Sequence, residues 1–434
     1  VGVLPQLLRD PLGFLTAAAR RYDGFLRLDL GRIQLYLASD PAVVRQMLQE
    51  QYQVFTKSSE SSPVAPIFGN GLLASDGSFW LRQRRMIQPL FHQARLAGFS
   101  RTMADLTAGM LERWQSASGP VEALAEFKLL TQGIILRTMF SSETPANAAA
   151  LARHFETVLS FSQLALFRGL EVLMRLPSPA RGRFRWALHE LDAAVEQMIV
   201  QRATQAERPP DLLTMLLEVQ DADTGERMTR RQLRDEVFSI YLAGHETTAI
   251  MLAWACYLLA GHPEIQARVQ AEADSVLGGG QPCVDSLAQL RYTRMVLEET
   301  MRIYPPAWLS ARNTRADTTI RGHPIPAGAR VLFSPYLTHR DPRFWDAPER
   351  FDPERFAPEA AGRRPKFTYY PFGGGPHLCI GQGFALMEAQ IALAMIAQRF
   401  QLDPEPGRPA APRIATTLRP HPGVWLRLRR RSVR

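Results

Sequence analysis

Phe372-Gly373-Gly374-Gly375-Pro376-His377-Leu378-Cys379-Ile380-Gly381 runs straight into an apolar segment that ends near Arg399. Three glycines and a proline predict a tight, non-helical turn there, followed by a helix from about Gly381. A cysteine at such a junction lies beside unpaired backbone N–H groups and the positive end of a helix dipole, which favour a thiolate. A thiolate in an apolar, glycine-walled niche suits a soft metal. Read alone, Cys379 is more readily a small buried residue, the usual fate of a free cysteine.

The pattern Phe-x-x-Gly-x-x-x-Cys-x-Gly, here Phe372, Gly375, Cys379 and Gly381, resembles the haem-binding loop of the cytochrome P-450 superfamily of haem-thiolate monooxygenases. The resemblance implies haem b with Cys379 as axial ligand of its iron, Phe372 packed beside the sulfur and Gly381 letting the next helix approach the porphyrin. The position two before the cysteine is usually an arginine that pairs with a haem propionate. Here it is His377, which makes that contact weaker or dependent on pH.

The longest helical run, Thr229 to Gly261, opens on the capping-box pair Thr229 and Gln232 and is apolar nearly all round beyond Val237. Gly244-His245-Glu246-Thr247-Thr248 interrupts it. Polar groups buried in mid-helix need partners or a task, and by themselves these allow either a satisfied network or catalysis. Within the resemblance, Ala243-Gly244-x-Glu246-Thr247-Thr248 is the oxygen-activating segment. Thr247 would bond iron-bound dioxygen with Glu246 as relay acid, Gly244 would leave room for O2, and the Thr247 hydroxyl would bond the Ala243 carbonyl and open the helix. Peroxide-using members lack this acid–alcohol pair, so it implies reductive use of O2.

Two more pairs fall in family order. Glu299 and Arg302 share one face of a helix over Thr293 to Tyr304 that Pro305-Pro306 stops. Alone they read as a surface ion pair; in the family such a pair is buried and joined by an arginine of a Pro-Glu-Arg-Phe segment, which makes Arg355 the third member of a structural triad. Trp80 and Arg84, four apart on Ser78 to Ile87, read alone as an arginine stacked on an indole. In the family they and Arg312 reach haem propionates. His92 and His339 read as ordinary hydrogen-bonded loop residues.

Composition agrees with a folded chain. Of its 434 residues, 46% are hydrophobic and 21% charged, which excludes a disordered or collagen-like chain. Cys256, Cys283 and Cys379 are too few and too scattered for a disulfide framework or a CxxC zinc site, so a reducing compartment is expected. The excess of 51 Lys and Arg over 42 Asp and Glu gives +9, spread along the chain except for Arg427, Arg429, Arg430, Arg431 and Arg434. It serves solubility or an acidic partner.

The expected fold is mainly α with small β-sheets, the cytochrome P-450 fold, with haem between the long central helix and the cysteine-bearing loop. One domain over 1–434 is expected, with β-rich parts at about 23–40 and 310–340 plus C-terminal strands, and helical bulk at about 41–305 and 381–400. In the first β part, Phe25 to Leu30 and Ile33 to Ala38 read as a hairpin about Gly31-Arg32. No apolar run is long enough to span a bilayer and no signal peptide is legible, so a cytoplasmic monomer is expected; an anchor ahead of Val1 stays open. No phosphate-cradling loop appears, nucleic acid is not an expected partner, and only about 55 residues follow Cys379. The resemblance therefore implies electrons from a separate ferredoxin or flavodoxin and its NAD(P)H-dependent reductase, docked on a basic face around the cysteine loop.

A hydrophobic small molecule is the expected substrate, hydroxylated or epoxidised. Ile240, Ala243, Ala307, Trp308, Leu309 and the Val64 to Leu73 loop would wall its pocket, with Thr416 and Thr417 adding polar contacts. Val158 to Leu176 reads as helix core or as an access lid. A fatty acid or terpenoid is favoured. The rival readings are a haem protein that binds a ligand without turnover, a cofactor-free helical scaffold, and the same fold carrying out coupling or isomerisation.

Overall fold

A computed structural model describes residues 4–29, 34–57, 65–141, 148–162, 177–221 and 223–431. The principal helices are α1 (Pro11–Arg21), α2 (Gly77–Ile87), α3 (Ser100–Ser116), α4 (Ala123–Met139), α5 (Ala148–Ser162), α6 (Pro179–Thr204), α7 (Arg230–Gly261), α8 (Pro263–Leu277), α9 (Arg291–Ile303) and α10 (Gln382–Arg399). The strands are β1 (Phe25–Asp29), β2 (Gln34–Ala38), β3 (Phe55–Thr56), β4 (Val121–Glu122), β5 (Ser310–Thr314), β6 (Thr318–Ile320), β7 (His323–Ile325), β8 (Arg330–Phe333), β9 (Phe400–Pro404), β10 (Ala411–Ile414), β11 (Leu418–His421) and β12 (Trp425–Arg430).

The largest sheet has the order β1-β2-β8-β5-β3, with β2 and β8 parallel and the other neighbours antiparallel. A three-stranded sheet, β4-β12-β9, and the hairpins β6-β7 and β10-β11 complete the β portion. The first two strands pair from Phe25 opposite Ala38 to Asp29 opposite Gln34, and the turn Gly31-Arg32 between them lies outside the described residues. β5, β7, β9, β10 and β11 carry prolines or charges over too few residues for alternation to reveal them.

α7 begins where a capping box satisfies its first N–H groups. Thr229 Oγ1 accepts from Gln232 N at 3.3 Å and Gln232 Oε1 accepts from Thr229 N at 2.7 Å. Its middle is buried on all sides because α4, α9 and α10 pack around it. Trp254, fully buried, donates its indole N–H to Leu418 O at 3.1 Å and stacks on Tyr304 with ring centroids 3.8 Å apart. α10 is likewise buried for most of its length in the same core, so the helix that leaves the cysteine loop and the helix with the polar interruption pack together. Among the described residues no helix is long and apolar enough to cross a membrane.

Candidate active site

The cysteine loop is held by backbone geometry that side chains resist. Gly373 (φ +74°) and Gly375 (φ +64°) are left-handed, and a Cβ on Gly375 would sit 1.8 Å from Leu48 O. Cys379 N donates to Phe372 O at 3.0 Å, closing the loop just before α10. Cys379 is free and keeps open surface, while protein atoms crowd it closely enough that desolvation raises its thiol pKa. The backbone N–H groups of Gly381 and Gln382 and the Arg84 guanidinium oppose that rise, all acting in favour of a thiolate. Gly381 lies against the sulfur, its Cα direction leaving a Cβ 4.0 Å from Sγ. Among the described residues no group of three or more His, Cys, Asp or Glu side chains is placed to hold a metal by itself.

Beside this loop is a cluster of cations. Asp76 caps α2, accepting from Gly77 N at 2.8 Å and from Lys57 N at 2.5 Å. One turn on, the buried Trp80 ring lies 3.9 Å from that of His377. Lys57 Nζ sits over the same indole at 5.5 Å and donates to Leu72 O at 2.8 Å. Arg84 donates to Leu378 O at 2.9 Å, and Arg312, on β5, donates to Ala311 O at 2.8 Å and covers the Phe333 ring. His377 Nε2 is 3.5 Å from Asp76 Oδ1, and neither of its ring nitrogens makes a hydrogen bond of good geometry among the described residues.

The electrostatics of this cluster are one-sided. Desolvation, then the charge of Arg312, brings Lys57 down to about 7, and desolvation brings Arg312 down to about 10. Desolvation also lowers His377, against the pull of the Asp76 carboxylate nearby. Asp76 resists its own desolvation through the neighbouring His377 and bonds from the N–H groups of Lys57 and Gly77, and falls to about 2. No carboxylate of the described residues comes within ion-pair distance of Lys57, Arg84 or Arg312. The cluster is short of negative charge.

Across the core, α7 changes character at the interruption. Ala243 is exposed and Gly244 and Thr247 are half-exposed in a helix otherwise buried there. Thr247 Oγ1 donates to Ala243 O at 2.8 Å, and Thr248 Oγ1 donates to Gly244 O at 3.3 Å. Two successive side chains thus bond back to the preceding turn, while the helix itself runs on unbroken. Gly244 has a packing task too: a Cβ there would meet Ile135 Cδ1 at 2.4 Å, so α4 approaches closely. His245 faces the interior, where desolvation lowers it to about 4. Glu246 is buried and ion-paired with Arg419 of β11; desolvation still raises its carboxyl pKa, with Arg419 and Lys128 pulling the other way.

Glu299 and Arg302 are wholly buried rather than a surface pair. Arg302 Nε and Nη2 donate to Glu299 at 2.6 and 2.8 Å, and the remaining N–H groups reach His339 O, Pro348 O and Arg350 O at 2.8, 2.7 and 3.1 Å. Arg355 Nε lies 3.4 Å from Glu299 Oε1. His339 is fully buried, and its Nε2 accepts from Tyr370 N at 3.0 Å.

The pocket residues separate into two groups. Ile240, Ala243 and Ala307 keep open surface. Trp308 is 1% exposed, donates to Ala415 O at 3.1 Å and shares a buried cluster with Leu309, Leu15 and Leu332. The described part of the 64–73 loop starts with a short helix, Ala65–Phe68, and is pinned to α7, Asn70 N donating to Asp235 at 2.8 Å and Leu72 N to Glu236 at 3.0 Å. Val64 and residues 163–176 of the lid candidate lie outside the described residues, and Val158 is fully buried. Lys57 and Arg419 escaped sequence reading because nothing local distinguishes them. Asp76 had a signal, the helix-start tripeptide Ser75-Asp76-Gly77.

The Cytochrome P450 family model matches residues 1–426. Cyclooctatin synthase of Streptomyces melanosporofaciens is 36% identical over 416 residues, covering 95% of this chain and 90% of that protein. Pentalenene oxygenase of Streptomyces avermitilis is 33% identical over 427 residues, covering 97% and 93%. The crystal structure of the cytochrome P450DA heme domain superposes with a TM-score of 0.88 at 26% identity, covering 98% of this chain and 94% of that one. The chain belongs to the cytochrome P450 family. It is a P450 monooxygenase whose cofactor is haem b.

Proposed function

We propose that this enzyme hydroxylates or epoxidises a terpenoid, with Cys379 as the thiolate that would hold the haem iron and electrons from a separate ferredoxin or flavodoxin. The observation that carries the site assignment is a lone sulfur facing helix N–H groups, next to a buried cation cluster short of negative charge. The residues fit haem b: one sulfur donor suits an iron whose other ligands belong to a macrocycle, and Lys57, Arg84, Arg312 and His377 suit two propionates. Trp80 would brace His377 from the other side. The Glu299–Arg302–Arg355 triad would hold the segments leading into the cysteine loop.

Haem b, when bound, supplies the activation of O2, one atom of which enters a C–H or C=C bond of the substrate while the other leaves as water. The chain's task is to manage protons and exclude water. The Thr247 hydroxyl, on the open side of α7, can turn from Ala243 O to hold a proton donor towards the reacting oxygen. Glu246 is the neighbouring acid, favoured in its neutral form by burial and kept in place by Arg419. Ile240, Ala243 and Ala307 present an apolar wall to the substrate, and Thr416 is a polar candidate beside Arg419 in sequence.

Terpenoid is preferred over fatty acid because two relatives are named for such chemistry, cyclooctat-9-en-7-ol 5-monooxygenase and pentalenene oxygenase. The test is the absorption spectrum of reduced, carbon-monoxide-treated protein. A strongly red-shifted Soret band is expected in the wild type and absent in Cys379→Ala; a band unchanged by that substitution overturns the assignment. Cyclic terpenes should shift the ferric haem to high spin, and fatty acids should not. Thr247→Ala should separate electron consumption from product formation. Reduction by the carrier should slow as salt rises, because a basic face meets an acidic partner.

A further inference from the structure

Glu236 of α7 is 0% exposed, and nothing in the proposed chemistry uses it. Its carboxyl is shared between two other parts of the chain. Oε2 accepts from Leu72 N at 3.0 Å, and Oε1 accepts from Nε2 of the buried Gln83, on α2, at 3.2 Å. The carbonyl of Leu72 in turn accepts from Lys57 Nζ at 2.8 Å. This one residue is therefore bonded to α7 at its nitrogen and to the cation cluster at its oxygen. Two neighbours on α7 hold the same turn. Asp235 accepts from Asn70 N at 2.8 Å and from Arg234 Nη1 at 2.9 Å, and that Nη1 also reaches Ile67 O at 3.3 Å. A glycine allows the approach: a Cβ on Gly71 would lie 2.3 Å from Ser239 Oγ and 2.5 Å from Asp235 O. Buried backbone groups must find partners, and for this turn the partners come from α7 and from Lys57.

We propose that Glu236 is a positioning residue for the cofactor: by holding Leu72 and Gln83 to α7, it keeps the Lys57 ammonium and α2 in place for the haem propionates. Without its carboxyl, Leu72 loses its anchor on α7 and Lys57 loses a fixed acceptor. A long side chain freed in this way must be ordered again whenever a propionate binds, which costs conformational entropy. The linkage is reciprocal: a propionate that holds Lys57 also steadies the turn at Leu72. The haem part of this statement rests on the function proposed above; the bonds of Glu236 to Leu72 and Gln83 do not.

Two measurements on the haem-loaded protein test this: amide hydrogen exchange at Leu72, and the rate at which haem passes to an excess of apomyoglobin. Glu236→Leu should speed both roughly fivefold, the equivalent of one neutral hydrogen bond. Glu236→Gln should stay within about twofold of wild type. Its amide oxygen can accept from Leu72 N, and its NH2 can meet Gln83 Oε1, which has no hydrogen-bond partner among the described residues. Gly71→Ala leaves the carboxyl in place but wedges the turn off α7. It should reproduce both changes, and it decides the matter if Glu236→Leu does not fold. In a Lys57→Met background, Glu236→Leu should alter haem release by less than about twofold, because its effect runs through Lys57. A merely structural glutamate would lower the urea midpoint and leave haem release alone. Unchanged exchange at Leu72, wild-type haem release where that exchange has risen, failure of Glu236→Gln to restore both, or Glu236 and Lys57 effects that multiply would each overturn the proposal. The carbon-monoxide spectrum of each variant reports thiolate ligation separately, so failure of the haem-thiolate assignment is distinguishable from failure of this one.

Discussion

Replacing Glu299 by Gln should destabilise the protein by about 3–5 kcal/mol, the cost of leaving a buried charge without its partner. Both members of the Glu299–Arg302 pair are fully buried, so water cannot compensate. Glu299 also accepts from Asp352 N at 3.0 Å and faces Arg355, so its loss leaves two guanidinium groups and a backbone N–H uncompensated. Burial raises the Glu299 pKa even with Arg302 beside it, which marks the pair as costly to form and costlier to break singly. Arg302→Met removes five hydrogen bonds and leaves the carbonyls of residues 339, 348 and 350 without their donor, for a loss of similar size. The double variant Glu299→Leu, Arg302→Met, with Glu299→Leu as its other single parent, should cost at least about 2 kcal/mol less than the sum of the singles, because no orphaned partner remains within the pair. Urea unfolding at pH 7, followed by tryptophan emission and by the Soret band, measures each corner; Trp345, under the Arg302 guanidinium at 5.0 Å, reports locally. A single variant within about 1 kcal/mol of wild type, or additivity within about 0.5 kcal/mol, would refute the reasoning.

Two further outcomes follow from the same site. Asp76 falls to about 2 in the fold, below its unfolded value, so its contribution is present above about pH 4 and disappears as pH drops towards 2. Asp76→Asn should therefore cost roughly 2 kcal/mol at pH 7 and flatten the acid limb of the stability profile; an unchanged limb in urea midpoints counts against the pairing with His377. Gly375→Ala meets both a left-handed φ and the Leu48 carbonyl, and should cost more than the about 1–3 kcal/mol of backbone strain alone, with loss of the red-shifted carbon-monoxide band. Retention of both stability and spectrum would mean that the loop does not need this geometry.

The cysteine loop was readable because its information is local: glycines whose backbone other residues resist, a proline, and a helix start, all within ten positions. The central helix was readable for a related reason. Thr229 and Gln232 announce its beginning, and a polar interruption in an apolar run stands out without any knowledge of neighbours. Burial of Glu299 and Arg302 was not readable from spacing, since a surface helix shows the same i, i+3 pair. The burial of Trp308 was not readable either, because an aromatic just after a helix-stopping Pro-Pro suits a pocket wall and a core equally, and its place in a cluster with Leu15 and Leu332 emerges only from the packing.

By itself the chain determined where helices and turns begin, which cysteine is set in a special backbone, and which helix holds polar groups at its centre, because short-range sterics and hydrophobic periodicity act within a few residues. The tertiary structure decided which charges share a space. Lys57 meets Arg312 and Glu246 meets Arg419 only after helices and strands far apart in sequence have packed. Electrostatic energy depends on distance and burial through space, and neither is written in the order of residues along the chain.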